Sequence, residues 1–248
     1  MHSYPYSRFV IRHCEELCYT SLRGAKRRGN LYTDMIISLT GFMGCGKSSV
    51  GRELSQLLCC PFMDLDQVIE EGAGRSIPEI FAIEGEEAFR SMELDALKEI
   101  VVASEARQCV PLAPSHSKAA GPSPYAGVRK CQFHTHASSP KELRSEDNTL
   151  ILALGGGAVM TEECAEIVRS QTRCIYLRAS VDTLVEHLEC QTGNRPLLAQ
   201  EECVLRERIA DLMAKRSSTY ENTAHVIIDI DGKSIEAVAS EIISIIFG

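Results

Sequence analysis

Met35-Ile36-Ile37-Ser38-Leu39-Thr40-Gly41-Phe42-Met43-Gly44-Cys45-Gly46-Lys47-Ser48 runs from an apolar hexapeptide into a glycine-rich loop that ends in lysine and serine. The hexapeptide has the length and β-branching of a buried strand. After Ser48, Val50, Leu54, Leu57 and Leu58 recur at helical spacing. The loop between them fits G-x-x-x-x-G-K-[ST] in full, in the strand–loop–helix context that gives this pattern its meaning. Glycines let the backbone curl until successive N–H groups point inward at phosphate oxygens, and the new helix adds its positive end. Lys47 then reaches the β- and γ-phosphates, and the Ser48 hydroxyl is placed to ligate Mg²⁺. The motif specifies a nucleoside triphosphate, not a reaction.

Working outward, Pro61-Phe62-Met63 reads as a second strand ending at Asp64. Ile77, Ile80 and Phe81, then Phe89, Met92, Leu97, Ile100 and Val101, give two helices with a break near Gly85. Thr149–Leu154, Cys174–Arg178 and Val226–Asp229 read as strands three to five. One helical stripe is Val181, Leu184, Val185 and Leu188, and another is Leu205, Ile209, Leu212 and Met213. A third is Ile235, Val238, Ile242, Ile245 and Ile246. Strands alternating with helices predict an α/β fold, a five-stranded parallel sheet with helices on both faces.

Two stretches stand apart. Residues 1–34 hold Arg8, Arg12, Arg23, Lys26, Arg27 and Arg28, interrupted by Glu15, Glu16 and Asp34. A transit peptide is poor in acids, which the Glu15-Glu16 pair contradicts. The expectation is a disordered extension, with Met35 as an alternative start. Residues of about 104–147 contain five of the nine prolines and few large aliphatics. That composition buries too little apolar area to offset its ordering entropy and reads as an insertion. Cys131, His134 and His136 lie within it at a spacing that matches no zinc pattern.

The net charge is -8, which does not favour nucleic acid as a partner. No apolar run is long enough for a membrane span. Eleven cysteines without a paired framework read as free thiols in a reducing compartment, and the expected location is cytoplasmic.

Transfer of a phosphoryl group requires a residue to orient the acceptor hydroxyl, cations for the moving charge, and exclusion of water. Asp64 and Asp66 follow the second strand, where an open parallel sheet places its ligands. Asp66 is suited to accept a substrate hydroxyl's proton, and Asp64 to hold water on Mg²⁺. Either is equally suited to capping a helix. Arg90 lies on a mostly apolar helix, either snorkelling to water or aimed at an anion. Gly155-Gly156-Gly157 follows a strand where close backbone approach to a ligand would explain three glycines. Arg195, in Gly193-Asn194-Arg195-Pro196, suits a lid that closes over phosphates. Arg216 reads as the end of a helix, where a cation is favourable in any case.

GFMGCGKSSVG, DLD, EGEEAFRSME, ALGGGAV, NRPLL and KRSSTY occur in this order, and the set resembles the shikimate kinases over about residues 35–103 and 148–248. The resemblance implies a P-loop, nucleoside-monophosphate-kinase-like fold with a lid. It implies transfer of the ATP γ-phosphoryl to the 3-hydroxyl of shikimate, in aromatic amino-acid biosynthesis, with Mg²⁺ as cofactor and a monomer as the working unit. By the same resemblance, Gly44, Cys45, Gly46, Lys47, Ser48 and Ser49 contact the nucleotide, Lys47, Asp66 and Arg195 are catalytic, with Arg195 also at the nucleotide, and Ser48 and Asp64 serve the metal. Asp66, Arg90, Gly155, Gly156, Gly157 and Arg216 bind the substrate, the two arginines gripping its carboxylate. The leader and the Pro-rich insertion depart from the family pattern. Two other readings remain open: a kinase of another small polyol acid such as gluconate, and a catalytically silent binding module.

Overall fold

The computed structural model describes residues 35–108, 149–191 and 199–248. The chain order begins with β1 (Ile36–Thr40), α1 (Lys47–Leu58), β2 (Phe62–Asp64), α2 (Leu65–Ala73), α3 (Ile77–Ile83) and α4 (Gly85–Gln108). It continues with β3 (Leu150–Ala153), a short 3₁₀ turn (Ala158–Met160), α5 (Glu162–Gln171), β4 (Arg173–Arg178) and α6 (Val181–Gln191). It ends with α7 (Ala199–Thr223), β5 (Val226–Asp229) and α8 (Ile235–Phe247). Among the described residues no helix is long and apolar enough to cross a membrane. Cys45, Cys59, Cys60, Cys164 and Cys174 are free thiols.

All five residues of β1 and all four of β3 are buried, as strands must be when helices cover both faces of a sheet. The strand order is β2-β3-β1-β4-β5, every pair parallel, with β1 in the centre. Ile36 stands beside Leu150, and Ile37 beside Arg173. Alternation along the strands divides the core into two layers. Ile36, Leu150, Leu152, Cys174 and Tyr176 face Leu65, Ile80, Met92, Leu97 and Val168 from α2, α3, α4 and α5. Ile37, Leu39, Ile151, Ile175 and Leu177 face Val50, Leu54, Leu184, Val238 and Ile242 from α1, α6 and α8. The mid-strand hydroxyl of Ser38 is buried and shares a hydrogen bond with Thr172 Oγ1 at 2.6 Å, so the central strand tolerates it.

The five strands and the helices on both faces match the sequence expectation. Two helices do not appear in that reading. α2 carries only Leu65, Val68 and Ile69 as buried residues, and α5 only Cys164, Ala165 and Val168. Short helices with three buried contacts, two of them small in α5, leave a weak periodic signal. Helix α4 runs on through Gln108, past the start at about 104 expected for the insertion. Helix α7 runs through Thr223, so Arg216 sits well inside it and not at its end. Residues 1–34, Cys131, His134, His136 and Arg195 lie outside the described residues.

Candidate active site

A central strand in a parallel sheet delivers its next loop to the C-terminal edge, where crevices form. Residues 41–46 leave β1 at that edge and turn directly into α1. The Lys47 ammonium folds back over the loop and donates to the carbonyl oxygens of Gly41 and Phe42, each at 2.9 Å. Cys45 N donates to Phe42 O at 3.3 Å, which closes the curl. Ser48, in the first turn of α1, donates its hydroxyl to Asp64 Oδ2 at 2.6 Å. Asp64 also caps α2, accepting from Asp66 N at 3.2 Å through Oδ1. The capping reading of Asp64 and its place beside Ser48 therefore hold together, one oxygen for each.

The acceptor side assembles around the glycine triplet that follows β3. A methyl group at Gly155 would lie 2.5 Å from Asp66 Oδ1 and 2.9 Å from Glu93 Oε1. At Gly157 it would lie 2.6 and 2.7 Å from the two terminal nitrogens of Arg90. These approaches are shorter than any side chain permits, so the triplet is the backbone against which Asp66, Glu93 and Arg90 are packed. Gly156 faces the phosphate loop, 3.4 Å separating its Cβ position from Met43 N. Arg216 arrives from α7, its guanidinium 6.0 Å from the centre of the Phe42 ring, and its charge acts on the Tyr220 phenol one turn along the helix.

Asp66, Arg90, Arg216 and the Lys47 loop thus meet at one place, although they come from four segments. Burial pushes the Asp66 carboxyl up, the Asp64 charge adds to this, and Lys47 and Arg90 pull it back. That environment suits a carboxylate that takes a proton near neutrality better than a solvated one does.

Glu93 is the residue the sequence reading missed. It is 1 % exposed and binds Arg90 Nη1 through Oε2 at 2.5 Å, while Glu86 holds the other nitrogen at 3.1 Å. Burial pushes the Glu93 carboxyl up, and the Arg90 hydrogen bond opposes that rise. Its second oxygen, Oε1, has no partner and lies beside Gly155. The signal available was an acid three residues after an arginine on one helix, Arg90-Ser91-Met92-Glu93.

Comparison with known proteins places this geometry. The shikimate kinase family model matches residues 43–110 and 138–247. The chain is 32 % identical over 209 residues to the shikimate kinase of Dictyoglomus turgidum, covering 84 % of this chain and 94 % of that one. It is 34 % identical over 207 residues to that of Thermus thermophilus, covering 84 % and 87 %. The solved structure of shikimate kinase from Acinetobacter baumannii in complex with shikimate superposes with a TM-score of 0.60 at 28 % identity, covering 86 % of this chain and 92 % of that one. The Aquifex aeolicus enzyme superposes at 0.55 with 25 % identity, covering 85 % and 94 %. The fold is accordingly the α/β fold of P-loop kinases. A match that spans both sides of the glycine triplet, in sequence and in fold, means that the chain belongs to the shikimate kinase family.

Proposed function

We propose that this chain transfers the γ-phosphoryl group of ATP to the 3-hydroxyl of shikimate, releasing ADP and shikimate 3-phosphate. The observation that carries this reading is the meeting of Asp66, Arg90 and Arg216 around the glycine triplet, against the loop that holds Lys47. Two arginines and a buried aspartate form a site for a rigid, hydroxylated carboxylate. Family membership supports it, as does the shikimate bound to the Acinetobacter baumannii protein.

In the proposed reaction the acceptor oxygen attacks the γ-phosphorus as the bond to the β–γ bridging oxygen breaks. Asp66 orients the acceptor hydroxyl and takes its proton. Lys47 turns from its loop carbonyls to the β- and γ-phosphate oxygens, and the loop N–H groups hold the remaining charge. Arg90 and Arg216 grip the carboxylate, with Gly156 and Gly157 closing the pocket between them. Arg195, in the segment between α6 and α7, is the lid cation. Ser48 and Asp64 offer oxygen donors of the kind a hard divalent ion takes, which fits Mg²⁺ as the cofactor. When bound, the ion neutralises phosphate charge and orients the chain of phosphates.

The test is coupled ADP release with shikimate, gluconate and quinate. Shikimate-dependent turnover that Lys47→Ala abolishes is expected. Turnover with gluconate and none with shikimate would move the chain to another polyol-acid kinase, and shikimate binding without ADP release would make it a silent module. We also read the enzyme as a cytoplasmic monomer, with residues of about 104–147 as an insertion. Light scattering of the purified chain checks the monomer by mass.

A further inference from the structure

Arg216 and Tyr220 stand one turn apart on α7, on the side that meets the glycine triplet. Tyr220 is fully buried, its ring stacked on Tyr176 with centroids 5.2 Å apart. Phenylalanine would satisfy that packing. A buried phenol adds a hydroxyl that must find a partner, and here one is at hand. The hydroxyl donates to the carbonyl oxygen of Gly156. The Arg216 charge, one turn earlier on the helix, acts on the phenol. Burial pushes the phenol up to about 12, so the donated proton is present throughout the working range. Gly156 in turn lies against Met43 N and Gly41 O of the phosphate loop. One hydroxyl therefore binds the triplet at the point where the triplet meets the nucleotide loop, with the arginine one turn away on the same helix.

We propose that Tyr220 is a positioning residue for the acceptor, its hydroxyl holding α7, and with it Arg216, in one fixed relation to the Gly156 carbonyl. The proposal rests on the reading of Arg216 as a carboxylate grip. Without the hydroxyl, the Gly156 carbonyl loses the donor that α7 supplies, and the helix that carries Arg216 loses this tie to the triplet. The loosened part is the acceptor pocket. Lys47 is held by the carbonyl oxygens of Gly41 and Phe42, bonds that do not run through Tyr220.

Tyr220→Phe removes the hydroxyl and keeps the ring on Tyr176, and its kinetics test the proposal. KM for shikimate is expected to rise about tenfold, the scale of one lost hydrogen bond. KM for ATP and the circular dichroism spectrum are expected to stay at wild-type values. In a double-mutant cycle, Arg216→Lys is expected to raise KM less in the Tyr220→Phe background than in the wild type, because part of the arginine's placement is already gone. A lowered Tm with both KM values unchanged, additive effects in the cycle, or failure of Tyr220→Phe to fold would each assign the residue to packing alone and overturn the proposal. A wild-type enzyme that turns over a different hydroxy acid would instead refute the substrate assignment, and the same Tyr220→Phe comparison run with that acid still decides the role of the phenol.

Discussion

Ser48 donates its hydroxyl to Asp64 across 2.6 Å, tying the first turn of α1 to the end of β2. The other Asp64 oxygen caps the helix that carries Asp66. Asp64 therefore links the first turn of α1 to the helix that carries Asp66. Asp64→Asn is expected to raise the Mg²⁺ concentration for half-maximal turnover by about 10- to 100-fold, as loss of a supporting carboxylate does at metal sites. Titration of activity with Mg²⁺ at saturating ATP measures it.

Asp66 supplies a pH dependence. Its carboxyl is raised by burial first and by the Asp64 charge second. A base must be ionised to act, so kcat/KM falls as pH drops through that raised value. The acid limb should lie above the roughly 4 of a solvated aspartate. Asp64→Asn removes one like charge and should move the limb to lower pH. Stability runs with the opposite sign. The folded state holds this proton more tightly than the unfolded one, so the Asp66 contribution becomes unfavourable as pH rises from the ordinary aspartate value through the raised one. Asp66→Asn should abolish that component in denaturant titrations at several pH values.

Gly155→Ala sets a methyl carbon 2.5 Å from Asp66 Oδ1 and 2.9 Å from Glu93 Oε1. Both carboxylates must move, and with Glu93 goes the lock on Arg90. KM for shikimate should rise about tenfold or more, since a misplacement of about 1 Å at such a site costs as much as 10²-fold. ATP binding, measured by calorimetry, should be kept.

Leu152 lies at the middle of β3, fully buried against the layer formed by α2 to α5. Leu152→Ala should lower the unfolding free energy by about 2–5 kcal/mol. An unchanged denaturant slope with a lower midpoint identifies this as a folded-state cavity.

The strands were legible because each is a short, β-branched run buried on both faces, and the glycine–lysine loop pinned the first of them. Helices whose apolar stripe is broad, such as α1 and α8, were legible too. Helix α2 was not, since its three buried residues sit among Asp66, Gln67, Glu70 and Glu71 and read as a polar connection. Arg216 was found as a residue but misplaced, because a helix of 25 residues has no interior mark that says where it stops. Glu93 and Tyr220 escaped for another reason. Their meaning lies in contacts with Gly155 and Gly156, far away along the chain, and periodicity carries no information about partners at that distance. Arg195 is known from its sequence context alone.

The register of β3 has a bearing on how this protein tolerates change. Leu150 sits beside Ile36, the first residue of β1, so the chain re-enters the sheet at the end remote from the phosphates. Five residues of extended chain, about 16 Å, separate that point from Gly155. At its other boundary, Gln108 lies about 27 Å along α4 from Arg90. Both stitches that join residues 109–148 to the enzyme are thus made on its blind side. A purification handle spliced between residues 111 and 137, the stretch the family match skips, is expected to leave the reacting groups where they are.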